Sequence, residues 1–196
     1  MSNFDFVAPF YDRILRFVFQ KRLWKAQQEH LDRILSDDNV LVVGGGTGEI
    51  LRWLPDSKIT YMDASAKMIE LASEKGRATF IQGDFLTHQL TERFDWIICP
   101  FFLDCFREED LIQVIDRLSQ HLRPTGQLIV TDFRERNLVH RLVVWVMILF
   151  FRMVAGLETT KLCDIRWLLQ QRGFVPVAQK EFMGGLVFSD IYLFKK

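Results

Sequence analysis

Residues Val40-Leu41-Val42-Val43 run straight into Gly44-Gly45-Gly46-Thr47-Gly48, and Glu49-Ile50-Leu51 follow. Four consecutive apolar residues read as a strand buried on both faces, and alternate glycines form a turn whose backbone can approach another molecule closely. The pattern predicts a strand over Asn39–Val43 and a crossover helix over Thr47–Leu54, stopped by Pro55. A second strand, Lys58–Met62, ends on Asp63, 19 positions after the first glycine. Strand, glycine turn, helix, strand and acid are the means by which an open α/β sheet holds a nucleoside, the acid accepting hydrogen bonds from ribose. The spacing is Gly-x-Gly-x-Gly, not the Gly-x-Gly-x-x-Gly of dinucleotide folds, and no lysine follows as in a phosphate loop. This argues against a pyrophosphate and for adenosine carrying a smaller group.

The rest of the chain continues the alternation. Helical periodicity runs from about Ala8 to Leu35, with a bend expected near Gln20-Lys21. Ser65–Lys75 reads as a helix with Ser65 as N-cap and Gly76 as C-cap. Further strands are expected at Ala78–Gln82, Phe94–Cys99 and Gln127–Asp132, with a helix at Glu108–Leu122 and a turn at Pro124-Thr125-Gly126. The end differs: a helix at Cys163–Arg172 precedes Phe174–Phe182 and Leu186–Phe194, two strands joined at Gly184-Gly185 as a hairpin. A mostly parallel sheet with helices on both faces, finished by an antiparallel hairpin, is the expected architecture.

The 196 residues show no repeat or Pro/Ser-rich linker, so residues 1–196 are read as a single domain with an N-terminal helical cap over 1–36 and an inserted apolar helix over 136–157. Formal charge is zero, which removes the electrostatic case for a nucleic-acid partner. Three unpaired cysteines, Cys99, Cys105 and Cys163, fit a reduced cytoplasmic protein and no metal site. Eighteen phenylalanines point to aromatic-lined space. The four histidines are expected on the surface.

Ligands of open α/β sheets lie beyond the carboxyl ends of the strands. Gly44, Gly46 and Gly48 would there offer backbone amides to an anion, and Asp63 would receive the ribose hydroxyls. Asp84 can accept the exocyclic amine of adenine while Phe85 covers the ring.

Val40–Leu51, Tyr61-Met62-Asp63-Ala64-Ser65 with Met68, Gly83-Asp84-Phe85 and Leu122–Leu128 together resemble the successive motifs of class I S-adenosylmethionine-dependent methyltransferases. Phe6–Asp12 resembles the opening of their ubiquinone/menaquinone-type small-molecule subgroup. The resemblance implies a Rossmann-like doubly wound sheet of seven strands in order 3-2-1-4-5-7-6, the last antiparallel. It implies S-adenosylmethionine as methyl donor and S-adenosylhomocysteine as product. Carried over, the donor site comprises Gly44, Gly45, Gly46, Thr47, Gly48, Asp63, Ala64, Met68, Asp84, Phe85 and Pro100. Many members of the family have an acid two positions before the first glycine, and here that position is Val42, so the donor's amino group must rest on backbone carbonyls or another side chain.

Methyl transfer from a sulfonium is an in-line displacement that needs alignment and dryness more than acid–base chemistry. Tyr11, Phe101 and Phe102 are candidates to face the cationic sulfur. Tyr11, Asp104 and Asp132 are the candidate catalytic residues, the two acids as general bases should the acceptor need one. The apolar stretch Leu142–Phe151, bounded by Arg141 and Arg152, is too short to cross a bilayer. Three roles are open to residues 138–156: a lid over an apolar small-molecule acceptor, a homodimer or partner interface, or a peripheral membrane contact. The expected function is methylation of a small hydrophobic or amphipathic acceptor, set against a non-catalytic adenosyl-binding module that recruits a partner. An aminopropyl transferase on the same scaffold is disfavoured by the lack of an acid cluster for a polyamine.

Overall fold

The computed structural model describes residues 21–138, 140–145 and 162–195. Seven strands form one sheet: β1 (Asn39–Val43), β2 (Lys58–Asp63), β3 (Thr79–Gln82), β4 (Phe94–Pro100), β5 (Leu122–Phe133), β6 (Phe174–Phe182) and β7 (Val187–Phe194). Their order is β3-β2-β1-β4-β5-β7-β6. The first five are mutually parallel, and β7 runs antiparallel to both β5 and β6. This is the expected seven-stranded, doubly wound architecture.

Period-two side-chain direction divides the core. Leu41, Val43, Ile97, Cys99, Leu128 and Val130 pack on one face, against Leu111, Val114, Ile115 and Leu118 of helix α3 (Glu108–His121) and Ile165, Leu168 and Leu169 of helix α5 (Ile165–Gln171). Val40, Val42, Ile98 and Ile129 pack on the other, with Leu31, Ile34, Leu51 and Ala72. Burial on both sides is why Val40–Val43 of β1 and Trp96–Pro100 of β4 read as unbroken apolar runs.

Three elements depart from the sequence reading. The first crossover is a single 3₁₀ turn, Glu49–Arg52, because left-handed Gly48 precedes it and Pro55 ends it, leaving too few residues to nucleate an α-helix. Helix α2 (Ala66–Ser73) takes Ser65 as N-cap, its hydroxyl accepting from Met68 N at 3.3 Å, but the C-cap is Glu74 and not Gly76. Gly76 is needed for space: a Cβ there would sit 2.8 Å from Leu51 Cβ. The Pro124–Gly126 turn lies inside β5, where the pairing skips from Phe94–Leu122 to Trp96–Gln127.

The terminal hairpin is secured by a buried ion pair. Arg166 of α5 donates through Nε and a terminal nitrogen to the two carboxylate oxygens of fully buried Asp190, at 2.8 and 2.9 Å. Tyr192 Oη donates to the same carboxylate at 2.9 Å and Gln179 at 3.3 Å, while the guanidinium lies over the Phe188 ring. The helix α1 (residues 21–28) and the helix α4 (residues 138 and 140–145) stand at the carboxyl end of β5. There Ala26 and Val144 pack with Phe133, Leu186 and Val187. The rest of the expected N-terminal cap, Tyr11 and residues 146–156 lie outside the described residues.

Candidate active site

The glycine turn adopts the conformation that its residues require. Gly44, Gly46 and Gly48 have φ of 68°, 62° and 79°, in the left-handed region that side chains avoid. Gly44 N–H donates to Met62 O at 2.9 Å, tying the turn to β2. Neighbours then occupy the space beside most of the glycines. A Cβ on Gly44 would meet the Phe102 ring at 2.3 Å, one on Gly45 the Tyr61 hydroxyl at 2.3 Å, and one on Gly48 the Ala72 Cα at 2.6 Å. Gly46 differs, since a Cβ there meets no described atom within 4 Å. Its backbone is therefore curved around open space, and beside that space stands Asp63.

Asp63 ends β2 half-buried. One carboxylate oxygen accepts from Gly46 N at 3.1 Å and the other from Ser65 N at 2.9 Å. Tyr61 Oη donates to Gly46 O at 2.9 Å from a fully buried ring. Burial, and then the charge of Asp63, push the Tyr61 hydroxyl above its ordinary value, so it stays a donor and braces the turn.

The residues after β4 form the opposite wall. Pro100 is buried at the end of the strand, and Phe101 takes φ 53°, a left-handed geometry rare for a bulky residue, while its N–H donates to Thr131 O at 2.7 Å. Its ring lies 4.9 Å from that of Phe133, and the Phe102 ring meets Phe106 edge-on at 4.9 Å. Asp132 is fully buried, and its carboxylate accepts from Leu103 N at 3.0 Å, Asp104 N at 3.2 Å and Phe133 N at 2.8 Å. Burial and the charge of Asp104 push this carboxyl well up, and the three backbone donors oppose the shift. Enclosed in this way, Asp132 is a clamp on the loop and not the exposed general base that its position at a strand end suggested. Asp104 is half-buried, and burial pushes its carboxyl up to about 6, against a hydrogen bond from the Cys105 thiol at 3.5 Å.

Other expectations divide. Thr47 and Met68 are half-buried and Ala64 is exposed, all beside the glycine turn or Asp63 in the chain. Asp84 is exposed just past β3, its carboxylate accepting from Leu86 N at 2.8 Å as the cap of a turn. Phe85 is a correction: its ring is in the core, edge-on to Phe102 with the Arg117 guanidinium 5.5 Å away, so it does not present an open face to adenine. Trp145 is 60% exposed on α4, and the buried side of that helix is His140 and Val144. His30 and His140 are buried, contrary to a surface placement; His30 Nε2 lies 3.1 Å from Ser189 O. The contacts of Phe102 with Gly44 and of Tyr61 with Gly45 were not readable from spacing. The only signal was an aromatic residue two places from each conspicuous one, Tyr61 before Asp63 and Phe102 after Pro100.

The turn gives a direct test of where a ligand lies. Gly48→Ala is expected to lower thermal stability sharply, because its Cβ meets the α2 backbone. Gly46→Ala costs only the left-handed penalty of about 1–2 kcal/mol, yet places a methyl group in the open space. It should abolish nucleoside binding in calorimetry while thermal unfolding shows a folded protein. Unchanged binding by Gly46→Ala would show that no ligand occupies that space.

A parallel sheet with an antiparallel seventh strand, a glycine turn around open space and an acid at the tip of β2 make a Rossmann-like fold similar to that of S-adenosylmethionine-dependent methyltransferases. Residues 40–126 match the methyltransferase domain family model. The chain is 31% identical over 140 residues to a malonyl-[acyl-carrier protein] O-methyltransferase of Calditerrivibrio nitroreducens, the match covering 70% of this chain and 55% of that protein. It is 30% identical over 146 residues to a demethylmenaquinone methyltransferase of Thermotoga maritima, covering 70% of this chain and 62% of the relative. The match thus spans little more than half the length of these relatives. In fold it is similar to the N-methyltransferase NodS from Bradyrhizobium japonicum in complex with S-adenosyl-L-homocysteine, with a TM-score of 0.68 and 15% identity over 90% of this chain and 87% of the other.

Proposed function

We propose that this protein transfers a methyl group from S-adenosylmethionine to a small, apolar or amphipathic acceptor. The observation that carries the reading is the left-handed Gly46 backbone bordering open space next to the Asp63 carboxylate. The residues present fit the donor. Gly44, Gly46 and Gly48 would follow its methionine half, Asp63 would exchange its bonds to Gly46 N and Ser65 N for the ribose hydroxyls, and Met68 and Asp84 would flank adenine. The donor supplies a methyl group activated on a sulfonium, and the chain has to align the acceptor with it and exclude water.

An apolar acceptor is supported by the wall around β4 and β5. Phe101 and Phe133 pack as tilted rings at the strand tips, and buried Val144 of α4 lies in the same cluster. The relatives are named as a demethylmenaquinone methyltransferase and a malonyl-[acyl-carrier protein] O-methyltransferase, and the first of these names supports a small apolar acceptor. The exposed Leu138, Leu142 and Trp145 lie along one side of α4 and leave a contact role open to that side. No helix among the described residues is long and apolar enough to cross a membrane.

The test is incubation of the purified protein with S-adenosylmethionine labelled in the methyl group and an extract of small apolar metabolites. Time-dependent release of S-adenosylhomocysteine with label in one extracted compound is expected. Donor binding without any transfer would favour the non-catalytic adenosyl-binding module, and no donor binding would remove both.

A further inference from the structure

We propose that Asp104 receives the ammonium group of the donor's methionine half, in place of the acid that the chain lacks two positions before Gly44. The inference rests on the S-adenosylmethionine reading above. Position 42 has no side chain to offer: Val42 is fully buried in the core on the far side of β1. A substitute acid has to come from another strand tip, and among the described residues three acids gather there. Asp63 is engaged by the glycine turn and Ser65. Asp132 is enclosed, with three backbone donors on its carboxylate. Asp104 is half-buried, and its carboxylate accepts from the weak thiol donor of Cys105 and from its own backbone N–H, with no donor from another strand among the described residues.

The loop that carries Asp104 abuts the glycine turn and is held rigidly. Phe102, two residues earlier, presses its ring on Gly44. Phe101 N is bonded to Thr131 O, and Leu103 N and Asp104 N to Asp132. Burial together with the charges of Asp104, Asp132 and Asp63 pushes the Cys105 thiol up, so all three acids act on one small region. None of them has an ion pair among the described residues. A half-enclosed carboxylate without a cation partner favours its protonated form, and a cationic ligand restores the ionised one. The donor brings two positive groups, the sulfonium and the ammonium. Asp132 is then a positioning residue that acts through the loop.

Calorimetry with S-adenosylhomocysteine and with 5′-methylthioadenosine, which has the same adenosine but no amino-acid half, separates the roles. Loss of one charge-assisted hydrogen bond predicts that Asp104→Asn and Asp104→Ser bind S-adenosylhomocysteine about 10- to 100-fold more weakly and leave 5′-methylthioadenosine unaffected. That retained binding also certifies the fold. Wild-type affinity for S-adenosylhomocysteine should fall as pH is lowered through about 6, where Asp104 protonates, and the Asn variant should be flat. The titratable groups beside Asp104 are Cys105 on its own loop and Asp132 of β5, and Asp63 of β2 acts on the same Cys105 thiol. Equal affinity of wild type and Asp104→Asn for S-adenosylhomocysteine would overturn the proposal, as would equal loss of both ligands. If wild-type protein bound neither ligand, the donor reading beneath it would fall as well.

Discussion

Asp63→Ala is expected to eliminate measurable binding of S-adenosylhomocysteine while the protein stays folded. The carboxylate is half-buried and faces the space beside Gly46, so its bonds to Gly46 N and Ser65 N can be exchanged for ribose hydroxyls. Two hydrogen bonds to a charged acceptor, at about 1.5–3 kcal/mol each, correspond to a loss of at least about 100-fold in affinity. The variant also frees the glycine turn, which adds to the loss. Asp63→Asn keeps the shape and one acceptor and should fall between the two. Titration calorimetry is the measurement. An affinity for Asp63→Ala within about threefold of wild type would sink the assignment, since uncertainty in such a hydrogen-bond energy cannot hide both bonds.

The largest effect on stability is expected from Asp190→Ala. Asp190 is fully buried and Arg166 has a side-chain exposure of 13%, so truncation leaves the guanidinium only its 3.3 Å contact with exposed Glu181 and strands the Tyr192 hydroxyl in the interior. Breaking a buried pair from one side costs about 3–5 kcal/mol, and unfolding should occur on the order of 10 °C lower. The surface pair Arg172–Asp116, with side chains 40% and 39% exposed, is the internal comparison. Its loss in Arg172→Ala should change stability by no more than about 1 kcal/mol. Urea denaturation of the two variants checks the contrast, and equal effects would show that the Asp190 network does not anchor the hairpin.

Much of the fold was legible because its signals are local. The runs Val40–Val43 and Trp96–Pro100 have no polar face to expose, and the glycines around Thr47 admit few turns. The hairpin was marked by Gly184-Gly185, and those glycines do take φ of 68° and 91°. The first crossover is shorter than expected because apolar spacing at Ile50 and Leu51 suits a 3₁₀ turn as well as an α-helix. Phe85 was misplaced for a related reason. A phenylalanine after a strand has the same local pattern whether its ring faces a ligand or, as here, packs against Phe102 and Arg117. His30 gave no signal at all, since its burial depends on Ser189, 159 positions away.

The order of apolar runs, glycines and strand-end acids in the chain determined the sheet and the place of Gly46 and Asp63 in it, because backbone sterics and side-chain alternation act within a few residues. Which of the three clustered aspartates could still meet a ligand was decided only in three dimensions. Asp132 and Asp104 differ little as letters beside a strand end. One is closed in by amides from Leu103, Asp104 and Phe133 and the other is left half-open, because burial and hydrogen bonding are set by residues brought together from different strands.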